Sequence, residues 1–229
     1  MLKILQNVID LFFPTICFGC DGILQTNEEV LCTICRHNIP LTNHCYQPNN
    51  EMFRRFYGRV PVEFVAAKFF FLKKGIVQKL IYNLKYFNHQ EIGTFVGDWF
   101  ASDLKNLAII NTIDVIVPVP LHPKRLKERG YNQVETFGLA LSKNLAIEYN
   151  PEILVRKIYS ISQSKKAFDD RIEANLSIFD VVNTEKNHNK HFLIVDDVFT
   201  TGATLELCSK ALLKIPGAKI SIICISMAH

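Results

Sequence analysis

The segment FLIVDDVFTTGAT, residues 192–204, places four apolar residues before two adjacent aspartates and a turn rich in threonine. A short apolar run bounded by turn residues predicts a buried strand, and the small hydroxyl residues from Thr200 to Thr204 predict a turn that opens a helix. Backbone N–H groups at a helix start bind phosphate, and carboxylates such as Asp196 and Asp197 at a strand end bind sugar hydroxyls, directly or beside Mg²⁺. The segment therefore predicts a site for a phosphorylated sugar. The alternative is a buried strand and an ordinary helix N-cap, which explains one aspartate and one threonine but not the whole string.

The sequence around this segment, residues 113–229, alternates short β-branched runs with helical stretches. This alternation is typical of an α/β fold with a parallel sheet. Apolar residues at helical spacing also predict two helices upstream of it. The predicted strands are 113–117, 153–155, 192–195 and 219–225, and the predicted helices are 76–84, 92–99, 134–145 and 205–212.

The composition excludes several classes of protein. With 229 residues, 48% of them hydrophobic and 21% charged, the chain can bury a core, which excludes disorder, collagen and coiled coil as descriptions of the whole chain. No apolar run reaches the roughly 18 residues of a membrane span. Asp10 interrupts the first apolar run, so residues 1–14 are interpreted as an amphipathic helix ended by Pro14 rather than a signal peptide. Seven cysteines, an odd number, without a signal peptide favour reduced thiols and a cytoplasmic location.

Two pairs of cysteines near the N-terminus predict a metal site. Cys17 and Cys20 form one C-x₂-C pair, Cys32 and Cys35 form another, and 11 residues separate the pairs. Two such turns supply the four soft ligands that zinc prefers, in a closed structural site whose folding energy comes from the metal. The alternative is four ordinary buried cysteines. The remaining thiols, Cys45, Cys208 and Cys224, are interpreted as a plain thiol and two core residues.

A proline-rich loop follows the predicted strand 113–117. Pro118, Val119 and Pro120 end the sheet pairing abruptly. Loops at the carboxyl ends of strands bind ligands in open α/β sheets, and a cluster of cations there predicts a site for diphosphate. The alternative is a surface turn that leads into an exposed basic helix. The basic residues are His122, Lys124, Arg125, Lys127 and Arg129, against the single acid Glu128.

Residues 52–90 carry eight lysines and arginines against one acid, Glu63, with aromatic residues between them. Cations follow a phosphodiester backbone while aromatic faces stack on unpaired bases, so the zone predicts binding of single-stranded DNA. The alternative is that many of the aromatic residues are core, particularly Phe69 and Phe71. The aromatic candidates are Phe53, Phe56, Tyr57, Tyr82, Tyr86 and Phe87, and the basic DNA-binding candidates are Arg54, Arg55, Arg59, Lys73, Lys74 and Lys85.

Several of these motifs together resemble one known family. Residues 192–204 resemble the phosphoribosyl-diphosphate (PRPP) motif of type I phosphoribosyltransferases, and the chain as a whole resembles the ComF family of bacterial competence proteins. The resemblance implies an α/β fold, a type I phosphoribosyltransferase-like parallel sheet flanked by helices with a small N-terminal zinc module of four cysteines. We expect the module and the N-terminal helix within residues 1–50 and the phosphoribosyltransferase-like domain within 51–229. The other segments that carry the resemblance are the two C-x₂-C pairs, LIYNLKY (80–86), DVIVPVPLHPKRLKERGYNQ (114–133), and Gln163, Ser164, Arg171 and Asn175.

The resemblance also implies roles for individual residues. Asp196 and Asp197 would bind the ribose 2′ and 3′ hydroxyls, with Mg²⁺ bound alongside PRPP. The loop Pro118–Val119–Pro120, with Arg129 and Asn132, would bind the diphosphate. The residues implied for the 5′-phosphate are Thr200, Thr201, Gly202, Ala203 and Thr204.

The function implied by the resemblance is support of DNA uptake in natural transformation, with binding of PRPP and single-stranded DNA. Its partners would include other competence proteins, such as a DNA-translocating helicase. Two alternatives stay open: an active phosphoribosyltransferase, transferring a pentosyl group to an unidentified nitrogenous acceptor, and a PRPP-responsive regulator. No catalytic residue can be named from the sequence.

Overall fold

The computed structural model describes residues 14–157, 178–182 and 184–228, which form a five-stranded parallel sheet flanked by helices. The order across the sheet is β1-β7-β6-β2-β3, and every neighbouring pair is parallel. A separate two-stranded antiparallel sheet pairs β4 with β5. The strands are β1 (Phe64–Phe71), β2 (Val115–Pro118), β3 (Glu148–Tyr149), β4 (Leu154–Arg156), β5 (Phe179–Val181), β6 (His191–Phe199) and β7 (Lys219–Ala228).

The structure confirms the helices that the spacing of the apolar residues predicted. Each of the four predicted helices is present; three are extended at one or both ends, and the helix predicted at 134–145 begins one residue later, at Glu135. The helices are α1 (Thr33–Asn38), α2 (Glu51–Arg54), α3 (Ile76–Tyr86), α4 (Glu91–Leu104), α5 (Pro123–Arg129), α6 (Glu135–Leu145) and α7 (Ala203–Leu212), with short 3₁₀ turns at His44–Tyr46, Ala108–Thr112 and Glu185–Asn187.

Strand β6 lies inside the sheet and is covered by helices on both faces. Because side chains alternate along a strand, Leu193 and Val195 pack into one core with α3, α4 and α6, while Phe192 and Ile194 pack into a second core with α2 and α7. A strand that is buried on both faces is continuously apolar, which is why its sequence predicted it so clearly. The parallel sheet, its flanking helices and a cluster of cysteines near the N-terminus confirm the predicted fold class.

Two strand predictions need correction. The segment predicted at 153–155 forms β4, which pairs with β5 and not with the parallel sheet. Strand β1 was not predicted, because its sequence lies in the zone interpreted as a basic face. Lys68 in β1 is buried, forms an ion pair with Asp103, and its ammonium lies 4.6 Å from the centre of the Trp99 ring. Counting Lys68 with the exposed basic residues was therefore wrong.

The cysteine segment packs against the larger part of the chain. Cys17, Leu31 and Cys35 belong to the same apolar core as Val77 and Ile92. The division of the chain at residue 50 stays a prediction.

Some sequence-based predictions lie outside the described residues. They are the helix expected at the start of the chain and the group Gln163, Ser164, Arg171 and Asn175. Among the described residues, no helix is long and apolar enough to cross a membrane.

Candidate functional site

The acidic pair lies near the carboxyl end of β6, beside the end of β2. The register pairs Pro118 of β2 with Val195 of β6, so the loop that follows β2 starts next to Asp196 and Asp197. The structure thus brings together, at one edge of the sheet, the acidic pair, the turn after β6 and the proline-rich loop. Ligands bind at this edge in open α/β sheets.

Asp197 is buried and its charge is compensated. Its Oδ2 atom lies 2.8 Å from Lys85 Nζ and accepts a hydrogen bond of 2.8 Å from Gln133 Nε2. The sequence led us to expect a partly solvated carboxylate here. The structure differs because β6 continues to Phe199, so Asp197 lies on the face that Lys85 of α3 and Gln133, just before α6, cover.

Asp196 lies on the opposite face of β6 and has different surroundings. Its Oδ1 atom accepts a hydrogen bond of 2.9 Å from the backbone N–H of Asp197. Burial, followed by the charge of Asp197, raises the pKa of Asp196 well above its ordinary value. Burial and then the Asp196 charge also raise the pKa of Cys208 and of Cys224, which places the Asp196 carboxyl near α7 and β7.

The turn after β6 presents small side chains to solvent. Thr200, Thr201, Ala203 and Thr204 are exposed, and the first N–H groups of α7, which begins at Ala203, have no partners within the helix. Gly202 has a φ of +78°, and a Cβ atom there would lie 2.8 Å from the Phe199 ring. Glycine is therefore required at this position. The Ala203 N–H group donates to Thr201 Oγ1 at 3.4 Å.

Arg59 holds this turn in place through hydrogen bonds. Its Nη1 atom donates to the Thr201 carbonyl at 3.0 Å, and its Nε atom donates to Glu206 Oε2 at 2.8 Å. The sequence placed Arg59 among the DNA-binding candidates, but these contacts give it a structural role in the turn. Its distance from Glu206 in sequence, 147 residues, explains why no local pattern indicated the pair.

The loop after β2 is tied to the acidic pair through Gln133, a residue that sequence reasoning did not single out. Asn132 Nδ2 donates to the Val119 carbonyl at 3.0 Å, which fixes the loop. Arg129 Nη1 donates to Gln133 Oε1 at 2.8 Å, and Gln133 in turn binds Asp197. The one signal for Gln133 in the sequence was its place at the end of the family-like segment 114–133.

The four N-terminal cysteines converge on one point. Their Sγ atoms all lie within 4.8 Å of one another, a cluster that fits a single metal ion. The backbone N–H groups of Gly19 and Cys32 donate to Cys17 Sγ at 3.3 and 3.2 Å. Burial alone would raise the pKa of the Cys17 thiol, but these hydrogen bonds outweigh it and lower the pKa to about 7. A side chain at Gly19 would collide with Cys35 Sγ, 2.8 Å from the position of a Cβ atom.

Comparison with known proteins finds competence proteins that are similar to this chain. No protein-family model matches it. Competence protein F of Haemophilus influenzae is 24% identical over 92% of this chain and 96% of that protein. Competence protein ComFC of Bacillus subtilis is 33% identical over 44% of this chain and 38% of that protein, and the DNA utilization protein YhgH of Escherichia coli K12 is 26% identical over 64% and 65%. The chain is therefore similar to competence proteins and to DNA utilization proteins.

A solved structure also aligns with this chain. Adenine phosphoribosyltransferase from Leishmania tarentolae is 12% identical, with a TM-score of 0.37, over 79% of this chain and 89% of that chain. The superposition is too loose to carry an argument, so the fold assignment rests on the strand order and on the relatives.

The predicted DNA-binding residues differ in how exposed their side chains are. Arg54, Arg55, Lys73 and Lys74 are exposed, whereas Lys85 is half-buried against Asp197. Phe56 is 1% exposed, so its predicted role in stacking on bases is wrong, because it packs in the core. The exposed aromatic candidates are Tyr57, Tyr82, Tyr86 and Phe87.

The different surroundings of the two aspartates predict opposite effects on stability. Replacing Asp196 by asparagine should raise the free energy of unfolding at neutral pH by about 1 kcal/mol or more, because burial and Asp197 disfavour only the charged form. The folded pKa of Asp196 lies above the unfolded one, so wild-type stability falls as the pH rises from about 4 towards the folded pKa, and the advantage of the variant grows over that range. Asp197→Asn should instead destabilise, since it leaves Lys85 without its carboxylate.

Urea unfolding at about pH 5 and about pH 8 measures both variants. An Asp196→Asn protein that is less stable than the wild type at the higher pH would contradict this account of Asp196.

Proposed function

We propose that this chain is a member of the ComF family that binds PRPP together with Mg²⁺, binds single-stranded DNA, and supports the uptake or use of DNA. The observation that carries the proposal is the convergence at one sheet edge of the acidic pair, the threonine turn and the basic loop. The names of the relatives, competence proteins and DNA utilization proteins, supply the biological context.

The three parts of the sheet edge match the three parts of PRPP. Asp196 and Asp197 offer carboxylate oxygens to the ribose hydroxyls and to Mg²⁺. The exposed turn from Thr200 to Thr204 offers backbone N–H groups to the 5′-phosphate. Arg129, next to the loop after β2, offers a guanidinium to the diphosphate, which carries the largest charge of the ligand.

Zinc is the metal that we propose for the cysteine cluster. Four thiolates in a compact group are the ligand set of structural zinc sites, which leave no position open for catalysis. Zinc would stabilise the N-terminal segment together with apolar residues such as Leu31, which pack it against the main core.

Binding of single-stranded DNA should depend strongly on salt, because neutralised phosphates release their counterions. If the protein contacts roughly four phosphates, raising salt from about 50 to about 200 mM should lower the affinity about 50-fold. Fluorescence anisotropy with a labelled oligonucleotide measures the slope. Reversal of Arg54 and Arg55 to glutamate should make the slope shallower, and Arg59 is left intact because it holds the turn through Thr201 and Glu206.

Equal affinities at low and moderate salt would show that the basic residues do not bind the DNA backbone. An absence of binding at low salt would remove DNA from the proposed function.

A further inference from the structure

A cleft lies between the end of α3 and helix α5. It has a volume of about 370 Å³ and is lined by Lys85, Tyr86, Arg125, Glu128, Arg129 and Tyr131. Pockets of roughly 300–1,000 Å³ are typical of sites for small ligands, such as one nucleotide unit. Neither the turn after β6 nor the cysteine cluster lines this cleft.

The charge in the cleft is mainly positive. The single acid, Glu128, lies 4.0 Å from Lys124, outside the cleft, and so is shared with that cation. Arg129 donates a hydrogen bond to Gln133. Because Gln133 is neutral, this contact does not compensate the charge of Arg129. Lys85 is already paired with Asp197, so the positive charge available to a ligand comes from Arg125 and Arg129. The cleft therefore favours an anion.

Aromatic rings form one wall of the cleft and continue beyond it. Tyr86 is 61% exposed, with the Arg129 guanidinium 5.2 Å from its ring centre. The Tyr82 ring lies 5.0 Å from Tyr86 and 5.5 Å from Phe87, and Tyr82 and Phe87 are also more than half exposed. Three adjacent exposed rings beside cations are the combination that stacks bases and holds their phosphates. We call the Tyr82, Tyr86 and Phe87 rings the aromatic platform.

We propose that this cleft is where single-stranded DNA docks, with a base on the aromatic platform and a backbone phosphate at Arg125, beside the Arg129 that the proposed function assigns to the diphosphate. The inference rests on the proposed binding of DNA and adds its location. A single strand fits because its bases are free to stack, whereas a duplex hides them. A bare diphosphate would use the cations but gain nothing from the platform.

The test compares matched variants for binding of an oligo-dT strand of about 16 nucleotides, a length within the usual site size of single-strand binders. Tyr86→Ala should lower the affinity between about fivefold and 100-fold, the range measured for loss of one base stack. Tyr46→Ala, which also removes an exposed tyrosine, should change it less than about twofold. Arg125→Gln should reduce the salt slope by about 0.7, and Lys105→Gln, at the end of α4, should leave it unchanged.

Two further measurements separate the alternatives. A duplex of the same length should bind more weakly and with no dependence on Tyr86. Pyrophosphate should displace the strand only partly, and Tyr86→Ala should not alter the affinity for pyrophosphate itself. Thermal unfolding of each variant verifies that it is folded.

The outcomes distinguish this inference from the proposed function. If the wild type binds the strand and both Tyr86→Ala and Arg125→Gln bind it equally well, the cleft is not the site and the inference fails alone. If the wild type binds no single-stranded DNA, the proposed function fails with it. Complete displacement by pyrophosphate, combined with no effect of Tyr86→Ala, would show that the cleft is a diphosphate pocket instead.

Discussion

Replacing Asp196 and Asp197 together by asparagine is expected to weaken PRPP binding in the presence of Mg²⁺ at least about tenfold. Each aspartate lost leaves sugar hydroxyls or the metal without a charged acceptor, at a cost of roughly 1–3 kcal/mol, and 1.4 kcal/mol is one decade in affinity. Isothermal calorimetry on the two proteins measures the difference.

The control for this experiment is a change of the same kind far from the sheet edge. Asp98→Asn, on the exposed side of α4, removes one negative charge and should leave the affinity for PRPP unchanged. Unfolding curves are needed for every variant, since the two aspartates have opposite predicted effects on stability. Equal affinities for the wild type and the double variant would show that the acidic pair does not hold the sugar, and no heat from the wild type would mean that the motif is only a scaffold.

Removal of the metal is expected to have the second large effect. One Zn²⁺ per chain should be bound by Cys17, Cys20, Cys32 and Cys35, and chelation should unfold mainly residues 15–40 because the ion supplies their folding energy. The effect should spread to α4, since the Arg36 guanidinium lies 4.9 Å from the centre of the Trp99 ring and Cys17 and Cys35 pack in the main core. Hydrogen exchange before and after chelation maps the loss.

Cys32→Ser alone should loosen the same segment, because three thiolates leave an open shell. Its control is Cys208→Ala, a buried cysteine of α7, which should destabilise the fold and yet keep the full metal content. Less than about half an equivalent of metal in wild-type protein purified without chelator would count against a structural zinc site.

The sequence predicted the elements whose pattern is local. Helices α3, α4, α6 and α7 repeat apolar residues at helical spacing, and β6 and β7 each contain a short, mainly apolar run, so neighbouring residues alone identify them. Strand β1 could not be identified in this way because Lys68 interrupts its apolar run, and its partner Asp103 lies 35 residues away. A buried lysine is identified as such only when its partner is known.

The site residues, like the helices and strands, were predicted where their pattern in the sequence is local. The acidic pair and the threonine turn form one continuous motif, so the sequence placed them together, and the cysteine cluster followed from its spacing. The burial of Asp197 could not be predicted from its neighbours in sequence, because Gln133 lies 64 residues before it and Lys85 comes from a different helix. The role of Arg59 under the turn is equally non-local.

The contacts of Asp197 with Lys85 and Gln133 make the binding of a sugar an exchange rather than a simple addition. A hydroxyl that reaches Asp197 replaces an ammonium and an amide that are already there, and only the difference between the old and the new contacts appears in the affinity. Free ribose supplies hydroxyls for Asp197 but nothing for the displaced Lys85. A sugar that also carries phosphates gives that ammonium a new anionic partner. In a site that binds PRPP as proposed, the internal ion pair would therefore discriminate against neutral sugars before any contact specific to PRPP is made.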